Sequence, residues 1–237
     1  FELPYGQNEL IEKLCHTNKN TGVILISGNA VAMPWVKKVP AIMQSWYLGS
    51  EAGSATANVI SGKVNPSGKL PFSIPKRLED NGAHFYGDLS FPGDGTDVRY
   101  KEDIYVGYRW FDTKKIVPQF PFGYGLSYTT FTYSNLKLDK KYLTEEDEIE
   151  VNVDVINAGN RFGKEVVQIY IEVEEPDIPR PIRELRAFKK IGLFPGEKKT
   201  VTFSLGKRAF SYWNSSLHQF YLAGGKYKIE VCSSAHT

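Results

Sequence analysis

The chain has little that would staple it, anchor it in a membrane or give it a dominant charge. Among 237 residues there are only two cysteines, Cys15 and Cys232. Two cysteines cannot build a disulfide framework or close a zinc site unaided, so both are expected as buried or half-buried thiols, with their pairing left open. No stretch approaches the ~18 apolar residues of a membrane span; Val23 to Ile26 is typical of the short runs present. Neither sign of charge dominates: 29 Lys and Arg face 27 Asp and Glu. No run of five basic residues occurs, which removes the case for a nucleic-acid partner. A 41% hydrophobic content with balanced charge also excludes a disordered chain. The start shows no charged segment followed by an apolar signal core. Phe1-Glu2-Leu3-Pro4 instead reads like the middle of a longer protein.

Catalytic signatures are missing too. Gly-x-Ser-x-Gly and the phosphate loop are absent. Gly123-Tyr124-Gly125 starts a dinucleotide-like pattern, but Tyr128 stands where the third glycine belongs. His16, His84, His218 and His236 are scattered and suit surface or capping roles better than metal ligation. Asp94-Gly95-Thr96-Asp97 resembles part of a calcium loop without its spacing or closing Glu. Asn214-Ser215-Ser216 fits the N-glycosylation pattern, relevant only in a secreted eukaryotic protein. Glu51 reads as a helix-start carboxylate. Glu102 reads as a partly buried anchor.

What is present has two textures. In the first half, Leu10, Ile11, Leu14 and Cys15 fall at helical spacing over Gln7 to His16. Gly22 to Ser27 and Ala41 to Tyr47 read as short strands buried on both faces. A small-residue helix is expected from Glu51 to Ile60, and a further strand from Leu70 to Ile74, with Pro71 marking an edge. Strand and helix alternate as in a mostly parallel sheet, with too few strands for a complete one. Residues 76 to 125 are irregular and rich in aromatics, among them Phe85, Tyr100, Tyr108, Trp110 and Phe122. A packed connector is favoured there over a sugar-stacking platform, because buried aromatics are usually core.

In the second half the pattern has period two. Ile149 to Val155, Val167 to Val173, Val201 to Leu205 and Tyr227 to Val231 alternate apolar with polar, with Tyr170 assigned to the outer face. Turn signals at residues 157–160, 195–197 and 224–225 separate them. Such spacing fits a fibronectin type III-like sandwich. The fold class expected is therefore a partial α/β sandwich with a mostly parallel sheet, over residues 1–125, followed by an all-β fibronectin type III-like sandwich, over residues 126–237.

Several segments in order resemble the C-terminal part of a glycoside hydrolase family 3 enzyme of the beta-glucosidase and beta-xylosidase type. They include Gly49-Ser50-Glu51-Ala52-Gly53, Asn65-Pro66-Ser67-Gly68-Lys69-Leu70-Pro71, Tyr105-Val106-Gly107-Tyr108-Arg109-Trp110-Phe111-Asp112 and Phe120-Pro121-Phe122-Gly123-Tyr124-Gly125-Leu126-Ser127-Tyr128. In the sandwich, Gly163-Lys164-Glu165-Val166-Val167-Gln168 and Arg180-Pro181 with Glu184-Leu185 match as well. Two small departures are Glu102-Asp103-Ile104 for the usual Glu-Gly and Gly49-Ser50-Glu51 for Gly-Gln-Glu.

The resemblance implies a retaining, exo-acting beta-glycosidase, beta-glucosidase first, acting on terminal beta-linked sugars. Such an enzyme needs two carboxyl groups about 5 Å apart. In this family the nucleophile is an Asp on an N-terminal barrel. The acid/base Glu lies in a Gly-Glu-Gly type motif just ahead of the Leu3-Pro4 segment. No residue here matches either, so no catalytic, substrate-binding or metal residue is assigned, and no cofactor is called for. The implied partners are the barrel, the first part of the α/β domain and a small neutral saccharide. Secretion or export to the periplasm is implied by the resemblance alone. Trp35, in a loop after a buried strand, is read as structural. The chain is expected to be a scaffold that is inactive alone. The other readings are a non-catalytic carbohydrate-binding module and a fibronectin-type interaction module.

Overall fold

The computed structural model describes residues 1–235, so His236 lies outside the described residues. The chain forms two compact units. One comprises residues 1–64, 73–102 and 117–120; the other comprises residues 65–72, 103–116 and 121 onward.

The first unit is α/β. Helix α1 (Gln7–Thr17) starts after Gly6 in the left-handed region, buries Cys15, and ends where the Asn18 N–H bonds the Leu14 carbonyl. Strands β1 (Gly22–Leu25) and β2 (Ala41–Gln44) pair in parallel, Gly22 opposite Ala41 and Leu25 opposite Gln44. Pairing stops at Gln44 because Trp46 takes a positive φ of 54° and turns the chain away. Trp35 lies between the strands, fully buried, and its Nε1 donates to Asn8 Oδ1 at 2.8 Å. That contact is structural, as expected. Helix α2 (Ala52–Ile60) follows a 3-10 turn over Gly49–Glu51. The short helix α3 (Gly82–Phe85) is capped by Asn81, whose Oδ1 accepts from the Ala83 N–H.

The strand expected over Leu70 to Ile74 does not form. Only Ile74 bridges, antiparallel to Phe120, while the Leu70 N–H bonds the Tyr124 carbonyl in the other unit's residue set. Pro71 lacks an N–H and breaks any ladder at that point.

The second unit is a β sandwich. Helix α4 (Tyr108–Lys114) precedes β3 (Phe131–Leu138), β4 (Ile149–Asn157), β5 (Gly163–Val173), β6 (Arg183–Leu193) and β7 (Lys198–Leu205). Then come α5 (Lys207–Phe210), the hairpin β8 (Tyr212–Asn214) with β9 (Gln219–Tyr221), and β10 (Tyr227–Cys232). The sheets are β10-β5-β6 and β3-β4-β7, and their pairings are antiparallel. The odd-numbered residues of β4 (149–155), β5 (167–171) and β7 (201–205), with Leu193 and Phe210, form one apolar cluster. This is the period-two face read from the sequence, now buried between the sheets.

One expectation fails here. Tyr170 was assigned to the water-facing side of β5, but it is completely buried. Helix α4 covers that side: the Tyr108 ring meets Tyr170 edge-on at 5.7 Å and stacks on Phe122 at 5.1 Å. The outer face of β5 is therefore a second small core, shared with Cys232 and Ala235. Both cysteines are buried and free.

Candidate functional site

Apart from Gly49–Gly53, which opens α2 in the α/β unit, the motifs singled out in the sequence contribute to two polar clusters of the sandwich unit. The first is built from residues 65–70 and 122–128. Asn65 Nδ2 donates to the Phe162 carbonyl at 2.9 Å, and its Oδ1 accepts from the Ser127 hydroxyl and the Tyr128 N–H. Lys69 Nζ reaches Glu165 Oε1 and the Gly125 carbonyl, both at 2.9 Å. The Lys69 and Glu165 side chains are 13% and 7% exposed, so this is a buried ion pair. Removing one partner of such a pair strands the other charge. Gly125 is required here: a Cβ would collide with the Gly68 carbonyl oxygen.

The second cluster lies where α4 meets β6. Helical spacing puts Tyr108, Arg109 and Asp112 on one face. Tyr108 Oη accepts from the Leu185 N–H at 2.8 Å. Arg109 pairs with Glu184 at 3.1 Å, and Arg183 pairs with Asp112 at 3.0 Å and Glu230 at 2.9 Å. Arg183 also donates to the Ala235 carbonyl and lies over the Tyr170 ring at 5.3 Å. Burial works against the Arg183 charge, but Asp112 and then Glu230 outweigh it and hold the guanidinium above its ordinary range. Arg180 and Arg186 also reach Glu184, at 3.7 and 2.6 Å.

These clusters use carboxylates as anchors for cations. Glu165, Glu184, Asp112 and Glu230 each face a Lys or Arg, and none is free to serve as a nucleophile beside a second acid. The other residues weighed from sequence lie apart. Glu51 is exposed at the start of α2, and Glu102 is buried with Oε2 unpartnered. Asp94 Oδ1 accepts from the Thr96 and Asp97 N–H groups, which hold its carboxyl below the usual range. The calcium-like segment is thus a turn closed by its own aspartate. Among the described residues no group of three His, Cys, Asp or Glu side chains could hold a metal ion. His84 meets the Phe91 ring edge-on, and His218 sits at a positive φ in the β8-β9 turn. Asn214 Oδ1 caps that same turn, accepting from the Ser216 and Leu217 N–H groups. The aromatic segment divides: Trp110 and Phe111 are buried, whereas Tyr100 is 79% exposed.

A cleft of about 190 Å³ is lined by Glu12, Cys15, His16, Lys19 and Lys38. It is smaller than the ~300–1,000 Å³ usual for ligand pockets. Sequence reasoning missed the Arg183 and Glu184 hub, because its partners come from positions 109, 112 and 230 and no local pattern joins them.

Comparison with known proteins is consistent along the chain. The glycosyl hydrolase family 3 C-terminal domain matches residues 1–128, and a fibronectin type III-like domain matches residues 165–235. The beta-glucosidase BoGH3A of Bacteroides ovatus is 50% identical over 99% of this chain and 32% of its own length. The thermostable beta-glucosidase B of Acetivibrio thermocellus is 43% identical over 99% of this chain and 31% of its own length. Among solved structures, DesR, a beta-glucosidase from Streptomyces venezuelae in complex with D-glucose, superposes with a TM-score of 0.92 at 37% identity. That match covers 98% of this chain and 30% of DesR. The chain therefore spans about a third of the length of the relatives it matches.

Proposed function

This chain belongs to glycosyl hydrolase family 3, and we propose that it serves as the C-terminal part of an exo-acting, retaining beta-glucosidase that removes terminal beta-linked sugars. Its own work is scaffolding. The observation that carries this reading is the use made of the family-specific motifs. Asn65, Lys69, Gly125, Tyr108, Arg109 and Asp112 hold segments of the chain on the sandwich, and their carboxylate partners are neutralised by Lys or Arg. A retaining glycosidase needs two carboxyl groups about 5 Å apart with distinct protonation states. Carboxylates locked in ion pairs serve neither role. This reading puts both catalytic carboxylates outside this chain, and the relatives' greater length leaves room for them.

The glucose complex of the Streptomyces relative supports a glucose-type sugar as substrate. The role proposed for the sandwich is rigid support, carried by its continuous core and the α4 cluster. The test is an aryl beta-glucoside assay on two proteins: this chain alone, and this chain extended through the preceding coding sequence. Turnover by the extended protein and none by the chain alone is the expected result. Turnover by the isolated chain would overturn the scaffold reading, and no turnover by either would overturn the glycosidase reading.

A further inference from the structure

The arginine cluster around Glu184 holds more positive charge than its own carboxylate answers. Three guanidinium groups share that one acid: Arg186 at 2.6 Å, Arg109 at 3.1 Å and Arg180 at 3.7 Å. The neighbouring acids are engaged elsewhere. Asp112 and Glu230 both pair with Arg183, and Glu230 also holds Lys228. Asp177 is exposed and accepts from the Tyr212 hydroxyl at 2.9 Å; among the described residues it forms no ion pair with the cluster.

Arg180 is the least satisfied of the three. Its side chain is only 6% exposed, yet its 3.7 Å approach to Glu184 is too long for a hydrogen bond. Its Nη1 is buried and has no hydrogen-bond partner. The guanidinium lies over the Tyr212 ring at 5.0 Å, and the Tyr227 hydroxyl that faces it donates to the Ala223 carbonyl at 2.7 Å. The Nε atoms of Arg109 and Arg186 are likewise buried without partners. For Arg186, burial opposes the charge; Glu184 favours it, but Arg180 and Arg109 work against it, and the guanidinium is left below its ordinary range.

A buried cation is costly unless it is both paired and hydrogen-bonded. The group wanting here is therefore an acceptor that also carries negative charge. A water molecule supplies the first without the second. The planar fork of a guanidinium matches an oxyanion, which it takes through parallel N–H···O bonds. The Arg109 side chain is 38% exposed, so the cluster meets solvent along α4.

We infer that Arg109, Arg180 and Arg186 form a binding site for a small free oxyanion of the phosphate or sulfate class. Three arginines less Glu184 leave two positive charges, which a dianion matches. A neutral sugar brings no counter-charge and a cation is repelled. The site belongs to the sandwich unit, and the inference stands apart from the glycosidase reading.

The test is a titration of the isotope-labelled 237-residue chain with sodium phosphate at neutral pH, with sodium chloride holding the ionic strength constant. Phosphate should move the Nε–H signals of Arg109 and Arg186 along a saturable curve. Arg180→Met keeps the apolar stem but removes the charged head, and should weaken phosphate binding about tenfold, the worth of one charge-assisted hydrogen bond. Should that variant fail to fold, Arg109→Gln, at the exposed rim, should weaken binding about fivefold. Shifts that do not saturate, saturable shifts confined to other parts of the chain, or parental affinity in the folded variant would each overturn the inference. A titration without any shift would mean that water completes Arg180, and would overturn it as well.

Discussion

The two compact units treat their apolar residues differently. In the sandwich, Val151, Val155, Val167 and Ile169 are completely buried in one cluster drawn from both sheets. In the α/β unit, Ile24, Ile26 and Ile60 are 43%, 70% and 60% exposed, and Leu10 and Leu14 on α1 are half exposed. Its sheet has two strands, β1 and β2, where buried parallel sheets usually have several. The sandwich completes its hydrophobic core from its own chain. The α/β unit presents apolar side chains that its own elements do not cover.

The comparison breaks most sharply at the buried ion pair. Lys69→Ala leaves Glu165 charged and buried without its cation. It should lower the stability of the sandwich by about 4 kcal/mol, read from urea denaturation, whereas Lys38→Ala at an exposed pair should cost under about 1 kcal/mol. Equal costs would mean that the motif's lysine is not a structural anchor.

A core truncation sharpens the same contrast. Ile169→Ala removes a fully buried side chain from the shared cluster and should cost about 3 kcal/mol. Ile26→Ala, at a 70% exposed position, should stay within about 0.5 kcal/mol. If Ile26→Ala proved as costly as Ile169→Ala, the α/β unit would be burying that side chain in solution.

Gly125→Ala comes next. Its methyl group would press on the Gly68 carbonyl oxygen, a backbone atom that cannot rotate away, so a loss of about 2 kcal/mol is expected in the same denaturation experiment.

The regions also differ in how much of them could be read from residues alone. The strands β4, β5, β7 and β10 follow a local rule: alternate residues face a core that the same alternation creates. That rule is short-ranged and legible. It misplaced Tyr170 because helix α4, some 60 residues earlier, covers the outer face of β5. It missed β6, whose register with β5 shifts between Ile169 and Tyr170 and so breaks the period. It missed β8 and β9, three residues each and too short for any period to register. In the α/β unit, the apolar run from Ala41 to Tyr47 looked like one strand, and only the backbone turn at Trp46 divides it. The motif residues were visible as a family resemblance, but their work was not. Asn65 acts on Phe162 and Lys69 acts on Glu165, and partners so distant in sequence leave no spacing to read.

Acid should act mainly on the sandwich, and this is the smallest effect of the set. Asp154 is held well below the usual carboxylate range, first by Lys198 and then by hydrogen bonds from Thr200 and Asn135. Asp147 is lowered to about 2, first by the Thr144 N–H and hydroxyl and then by Lys140. In Glu230, burial opposes ionisation, but Lys228 and Arg183 outweigh it and leave the carboxyl lowered. A carboxyl group whose pKa is lower in the folded state binds protons more readily when unfolded. Its contribution is therefore complete above the unfolded value of about 4 and is lost as pH falls toward the folded value. Urea midpoints for the sandwich should hold from pH 7 to about 5 and decline progressively below that. Asp154→Asn should flatten the decline while lowering the plateau slightly, because it removes a charge that the folded state favours but keeps a side chain able to accept from Thr200. A decline that is just as steep in Asp154→Asn would place the acid sensitivity on other groups, with Glu230 next to be replaced, by Gln.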